Sequence, residues 1–216
     1  GIDLAQLANK FMFGSLVFHQ AADDYMDDDV DGKGLLADHT QLAEGKNYTN
    51  LEHQWDEAFG YFGAARNFDE FSDEEVAGSG GREGWQGAHD KNDDGKIDLN
   101  AEYNFAPAGY AAKRDLGARG QTDFSGEAFD AFVAGRELIA SADGALTQEQ
   151  LQELRQHRDQ ALLAWEKVYA ANTIHYANAT LRDMNAIGTD AYDFEAHAVH
   201  WAELKGFALA FQFNPH

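Results

Sequence analysis

Apolar residues recur at helical spacing along most of the chain, and they mark out its elements. Leu4, Leu7, Ala8, Phe11, Ser15, Phe18, Ala22 and Tyr25 form one stripe, which predicts a first helix from Ile2 to about Asp28. Its middle, FMFGSLVF (Phe11–Phe18), is apolar on every side, which places that helix centrally among its neighbours. The stretch YTNLEHQWDEAFGYFG (Tyr48–Gly63) carries the clearest start signal. Thr49 is the N-cap and Glu52, three residues on, completes a capping box. Leu51, Trp55, Ala58, Phe59 and Phe62 then fall on one face of a helix running to about Arg66. Residues 67–88 lose the period and read as a long loop pinned by Phe68, Phe71 and Trp85. A helical stretch follows from Ala101 to about Ala118, interrupted by Pro107. Another runs to about Ala140 from a cap at Asp123 or Ser125. Thr147 with Gln150 is a second capping box and opens the longest helix, up to about Ile187. Its stripe includes Leu151, Leu154, Leu162, Trp165, Val168 and Tyr169, and polar residues enter it at Asn172 and His175. A last helix spans about Tyr192 to Phe211 and is stopped by Asn214-Pro215. The expected fold class is all-α. It is an antiparallel helical bundle in a single domain over 1–216, with a loop-rich insertion at about 67–102.

The bundle reads as two pseudo-repeated halves. With Trp55 aligned on Trp201, W-D-E-A-F-G-Y lies over W-A-E-L-K-G-F, so that Trp, Glu, Gly and an aromatic recur in register. A histidine stands near each Glu, His53 before Glu57 and His200 before Glu203. An imidazole and a carboxylate one turn apart have a metal-ligand spacing, and they equally form an ordinary surface pair. The second copy is apolar almost all round, so Glu203 is expected to be buried and to need a partner, a proton or a metal. His19, His175 and His197 are the further nitrogen ligands available, or else core and surface histidines held by hydrogen bonds.

The insertion carries a different chemistry. In DKNDDGKIDLNAE, Asp90, Asn92 and Asp94 occupy positions 1, 3 and 5 of an EF-like calcium loop. Gly95 permits the sharp turn, Lys96 offers its carbonyl, Ile97 is the apolar anchor and Asp98 ligates at position 9. Hard oxygen donors at these offsets suit Ca²⁺, which takes roughly 6–8 of them. The last carboxylate, Glu102, comes one residue late, and GSGGREGWQGAH supplies no helix upstream. The loop therefore reads as a structural clip rather than a paired sensor. A second acidic run, DDDVDGKGLLAD, places Asp27, Asp29 and Asp31 at the same opening offsets with Asp38 at position 12. It is either a second calcium loop or a solvated acidic turn at a helix end.

Composition narrows the partners. Sixteen Lys+Arg against 38 Asp+Glu give a net charge of −22, which argues against nucleic acid and anionic membrane surfaces and suits cation binding. No cysteine is present, which removes disulfides and thiolate metal sites. No segment is long and apolar enough to span a membrane. The chain starts at Gly1 and reads as processed, so a removed signal peptide and a lipid anchor on the lost N-terminus are compatible with it.

The residues YTNLEHQWDEAFGYFG, DKNDDGKIDLNAEYNF and HWAELKGFALAFQFNP, with the run GSLVFHQAADDYM, resemble a family of secreted bacterial proteins, the domain of unknown function numbered 4856. The resemblance extends over most of the chain and brings no assigned activity. That family is distantly similar to imelysin-like periplasmic proteins, which are all-helical, built from duplicated bundles and associated with iron uptake. Their signature is G-x-H-x-x-E. Here Leu51 stands in place of the Gly, and Asp56 or Glu57 follows His53. The resemblance implies a periplasmic, extracellular or outer-membrane-associated bacterial protein.

Two main readings follow. In the first, the chain is an exported metal-binding protein. Calcium sits in the EF-like loop, and Fe, Zn or Cu is held by His53, Glu57, His200 and Glu203 with His19, His175 or His197, for uptake or storage. In the second it is a calcium-stabilised helical binding module whose His/Glu pairs only hydrogen-bond. A metal-dependent hydrolase is a minor third, because H-E-x-x-H is absent and no open coordination position is apparent.

Overall fold

A computed structural model describes residues 2–214; Pro215, expected to help stop the last helix, lies outside them. Seven α-helices occur among the described residues: α1 (Leu4–Met12), α2 (Asn50–Phe62), α3 (Asp73–Val76), α4 (Ala106–Ala118), α5 (Phe124–Ser141), α6 (Gln148–Ala186) and α7 (Phe194–Ala210). Isolated bridges at Leu42–Thr49 and Ala88–Tyr103 are the only extended pairings among these residues, so the fold is all-α. Its contacts divide it into two compact units, Gly1–His19 with Glu166–His216, and Gln20–Trp165. α6 contributes its first part to the larger unit and the remainder to the smaller.

The first predicted helix is only partly α. After α1 the chain is wound as π-helix over Phe13–Phe18 and Gln20–Tyr25, and Met26 N–H donates to Ala21 O at 3.0 Å. The wider winding rotates the inward face. Phe13, Phe18, Ala22 and Met26 are buried, whereas Ser15 and Tyr25 of the expected stripe are only half-buried. A hydropathy period alone does not separate the two windings over a segment that is apolar all round. Pro107 also behaves differently from expectation. It lies in the first turn of α4 instead of interrupting a helix, where its missing N–H has no intrahelical acceptor to lose.

In the smaller unit α1 packs on α7 at close range. A Cβ at Gly206 would lie 2.8 Å from Leu7 O, so only glycine allows this approach. Phe13 stacks on Phe207 at 6.1 Å, and the Tyr169 hydroxyl donates to Phe13 O at 2.9 Å.

The larger unit is organised by α2. The Thr49–Glu52 capping box is formed in both directions, and Gly63 closes the helix in the left-handed conformation. Leu51, Trp55, Ala58 and Phe62 are buried along one face. Trp55 donates its indole N–H to Phe132 O of α5 at 2.8 Å. Its ring lies so close to α5 that a Cβ at Gly135 would come within 2.0 Å of it. Phe59, Phe62 and Phe132 complete an aromatic cluster with centroid separations of 5.6 and 5.8 Å. Residues 77–105 lack helix, and aromatic anchors hold them. Phe68 is buried against Phe129, Phe71 meets Trp85 at 4.6 Å, and the Arg82 guanidinium lies 3.6 Å over the Trp85 ring. Arg82 also clasps Glu75 and holds that carboxyl down at about 2.

Two outcomes are expected. Gly135→Ala forces the buried Trp55 ring away and destabilises the protein by about 1–3 kcal/mol or more, seen as a lower urea midpoint. Asp73, at the start of α3, is raised to about 6 by burial and by the nearby Asp115 charge. The folded state therefore favours its protonated form, and this contribution is present below about pH 4 and lost as pH rises through about 6. Asp73→Asn should raise the melting temperature at pH 7.5, and the gain should shrink to nothing near pH 4.

Candidate functional site

The acidic loop over residues 90–102, expected to be EF-like, closes on Glu102. This buried residue, one place later than the twelve-residue pattern, directs its carboxylate back into the loop. Oε1 accepts from Lys91 N–H at 3.0 Å and Oε2 from Asp98 N–H at 2.9 Å. Asp90 accepts from Asp94 N–H at 3.2 Å and Gly95 N–H at 2.7 Å, and Asn92 Oδ1 accepts from Asp94 N–H at 3.0 Å. Gly95 has φ +79°, the left-handed conformation the sharp turn requires. Lys96 N–H donates to Asp94 at 2.9 Å and Asn100 N–H to Asp98 at 2.8 Å. Asp90, Asn92, Asp94, Asp98 and Glu102 thus belong to one hydrogen-bonded loop, with the exposed Lys96 on its outer turn. The extra residue is absorbed near its end, where Ala101 N–H and Glu102 N–H both donate to Asp98 O.

The second acidic run is arranged otherwise. Asp27 shares a hydrogen bond with Asp29, and burial together with that neighbour raises it to about 6. Asp31 is exposed. Asp38 turns to its own neighbour, accepting from Thr40 N–H at 2.8 Å and Thr40 Oγ1 at 2.7 Å. The acidic helix end is relieved by Arg155 and Arg158, which hold Asp28 at 2.6 and 2.9 Å.

The His/Glu residues divide between the two units. His53 and Glu57 lie in the larger one, half-exposed, with Nδ1 and Oε1 3.7 Å apart; His53 also stacks on Tyr48. His200 and Glu203 lie in the smaller one on α7. His200 Nδ1 is 2.7 Å from Asp183, and the buried Glu203 is 3.4 Å from the equally buried Lys10 ammonium. The partner required by the buried carboxylate is therefore a lysine. His197 Nδ1 meets the Tyr192 hydroxyl at 3.1 Å, His19 lies against Phe213, and His175 is exposed beside Tyr176. Among the described residues no three His, Asp or Glu side chains are grouped so as to hold a metal ion.

A cleft of about 900 Å³ opens in the larger unit. One wall is the face of α2 carrying His53, Asp56, Glu57, Phe59 and Gly60. The second is α5 with Phe129, Phe132, Val133 and Arg136. The third is the end of the acidic loop and the chain beyond it, Leu99, Asn100, Tyr103 and Phe105. Arg136 ties the first two walls together, at 3.0 Å from Glu52 and 2.9 Å from Asp56. Backbone bonds tie the third to the end of α2. Arg66 N–H donates to Ala101 O at 2.9 Å and Phe105 N–H to Gly63 O at 2.7 Å. Leu99, Tyr103, Phe105 and Val133 all remain substantially exposed there. Sequence periodicity reaches His53 and Glu57 but misses Arg66, Arg136 and the loop wall, because their convergence depends on contacts distant in the chain. The aromatic pair Tyr103 and Phe105 directly after the acidic loop is the local signal that could have located the third wall.

Residues 1–76 match the model of a protein family described as a domain of unknown function, DUF4856. The match includes α1 and the capped α2, and stops short of the acidic loop 90–102 and of α7. No curated protein and no solved structure matches the chain.

The Lys10–Glu203 pair gives a direct test of whether Glu203 is structural. Glu203→Gln removes the charge that faces the buried Lys10 ammonium at 3.4 Å and should lower the urea midpoint. The loss should be the same with and without a chelator.

Proposed function

We propose that this chain, whose residues 1–76 match the DUF4856 family model, is a calcium-stabilised helical binding module. Calcium sits in the loop 90–102, held by Asp90, Asn92, Asp94, the Lys96 carbonyl, Asp98 and Glu102. The observation that carries this reading is Glu102. It is a buried carboxylate drawn back into a loop of hard oxygen donors by the N–H groups of Lys91 and Asp98. Asn92, Asp94 and Asp98 are exposed, so turning their free oxygens onto an ion costs little beyond side-chain entropy. The loop end is also a wall of the cleft, so calcium would order the wall and through it the binding site. In this reading the ion acts on shape and not as a reagent. Export from a bacterial cell, expected from the family resemblance, belongs to the same proposal.

The transition-metal reading rests on His53 and Glu57 alone, an i,i+4 pair on the cleft wall. His200 and Glu203 are engaged by Asp183 and Lys10. Iron, zinc or copper storage is therefore the less favoured proposal.

Calorimetric titration of the chelator-treated protein with Ca²⁺ tests the main reading. Binding near one ion per chain, with a melting temperature that rises with calcium, is the expected result. Glu102→Gln and Asp94→Ala should each weaken it at least tenfold, with His53→Ala unchanged. Elemental analysis showing a transition metal near one per chain, lost in His53→Ala, would favour the storage reading instead.

A further inference from the structure

Gly60 identifies what the cleft is shaped for. It lies inside α2 with ordinary helical torsions, and a Cβ built on it meets nothing within 4 Å. Neither backbone conformation nor a close neighbour requires glycine, and glycine inside a helix costs about 0.5–1 kcal/mol relative to alanine. Its physical consequence is open space in a cleft of mixed lining, where His53, Asp56, Glu57 and Arg66 alternate with apolar and aromatic side chains. Phe105 and Val133 are 43% and 38% exposed, apolar area left uncovered on a folded domain.

The charges of the cleft are unequally engaged. Arg136 is held by Glu52 and Asp56, and Glu57 lies 3.7 Å from His53. Arg66 is exposed on the cleft lining, anchored through its backbone N–H to Ala101 O at 2.9 Å. Its guanidinium makes no ion pair within 4 Å among the described residues. Arg66 also acts through space on the Asp56 carboxyl of the facing wall, yet no carboxylate pairs with it directly, and this exposed guanidinium is the charge that an anionic head group would complement.

We propose that the cleft binds an amphipathic monoanion, with its apolar body between α2 and α5 over Gly60 and its carboxylate or sulfonate on Arg66. This rests on the binding-module reading, and it stands whether or not calcium fills the neighbouring loop.

The test uses the whole chain with dodecanoate below its micellar concentration, read by calorimetry and by displacement of the fluorescent anion anilinonaphthalene sulfonate. Dodecyltrimethylammonium, of the same chain length and opposite charge, is the comparison. Expected are saturable binding of dodecanoate near one per chain and at least tenfold weaker binding of the cation. Arg66→Gln should weaken dodecanoate at least tenfold and leave the cation unaffected. Gly60→Leu fills the space and restores a better helix former, so it should abolish binding while the melting temperature holds or rises. Equal affinity for the two amphiphiles, or undiminished dodecanoate binding in Arg66→Gln, overturns the anion assignment. Undiminished binding in Gly60→Leu overturns the cleft as the site. Each titration is run with calcium and with EDTA. Saturable dodecanoate binding in a protein that takes up no calcium removes the calcium clip and leaves this assignment standing.

Discussion

Trp55 is the constraint on which the larger unit depends. Its ring occupies the space that any side chain at position 135 would fill, and its indole N–H is satisfied by Phe132 O. A buried N–H without an acceptor would cost about 1–3 kcal/mol, so donor and groove have to be met together. That double requirement fixes both the distance and the rotation of α2 against α5. Phe59, Phe62 and Phe132 then pack as a cluster, and Arg136 reaches Glu52 and Asp56 on the neighbouring face. The two helical walls of the cleft are set by this one contact, with the third laid against the end of α2 by backbone hydrogen bonds.

The long acidic segment is held by a different physics. It has few apolar residues and no helix between 77 and 105. Its order comes from a few aromatic anchors and from carboxylates that accept backbone N–H groups. Glu75 takes Arg82, and Glu102 takes the loop itself. Such segments keep a defined shape with little buried area, and a bound cation would add to that shape without new hydrophobic surface. The placement of Leu99 and Tyr103 makes the end of the loop part of the cleft lining.

The smaller unit carries the clearest lesson about the histidine and glutamate residues. The recurring Trp, Glu and Gly around Trp55 and Trp201 are real in the sequence, yet the two copies serve different ends. Glu57 is half-exposed beside His53, whereas Glu203 is buried against Lys10. Gly60 faces open space, and Gly206 is pressed onto the backbone of α1. Equal residues in register therefore need not have equal roles, because burial and neighbours decide what a carboxylate or a glycine does.

The sequence by itself determined the local features. Thr49 with Glu52 and Thr147 with Gln150 formed the capping boxes their spacing implied, the buried face of α2 followed its period, and the anchors Phe68, Phe71 and Trp85 held the loop. The capping boxes and the face of α2 depend on residues within one or a few turns of one another, where spacing alone sets position, whereas the anchors were legible only as large apolar residues and their partners, such as Phe129, were not. Only the tertiary structure decided the π-winding after Met12, the partners of His200 and Glu203, and the cleft. Pro107 shows the same division. Its residue type forbids a helix interior, but where α4 begins is settled by how the preceding loop is tied down. Contacts such as Trp55 with Phe132 or Lys10 with Glu203 join positions far apart in the chain, and no local period encodes which distant groups will meet.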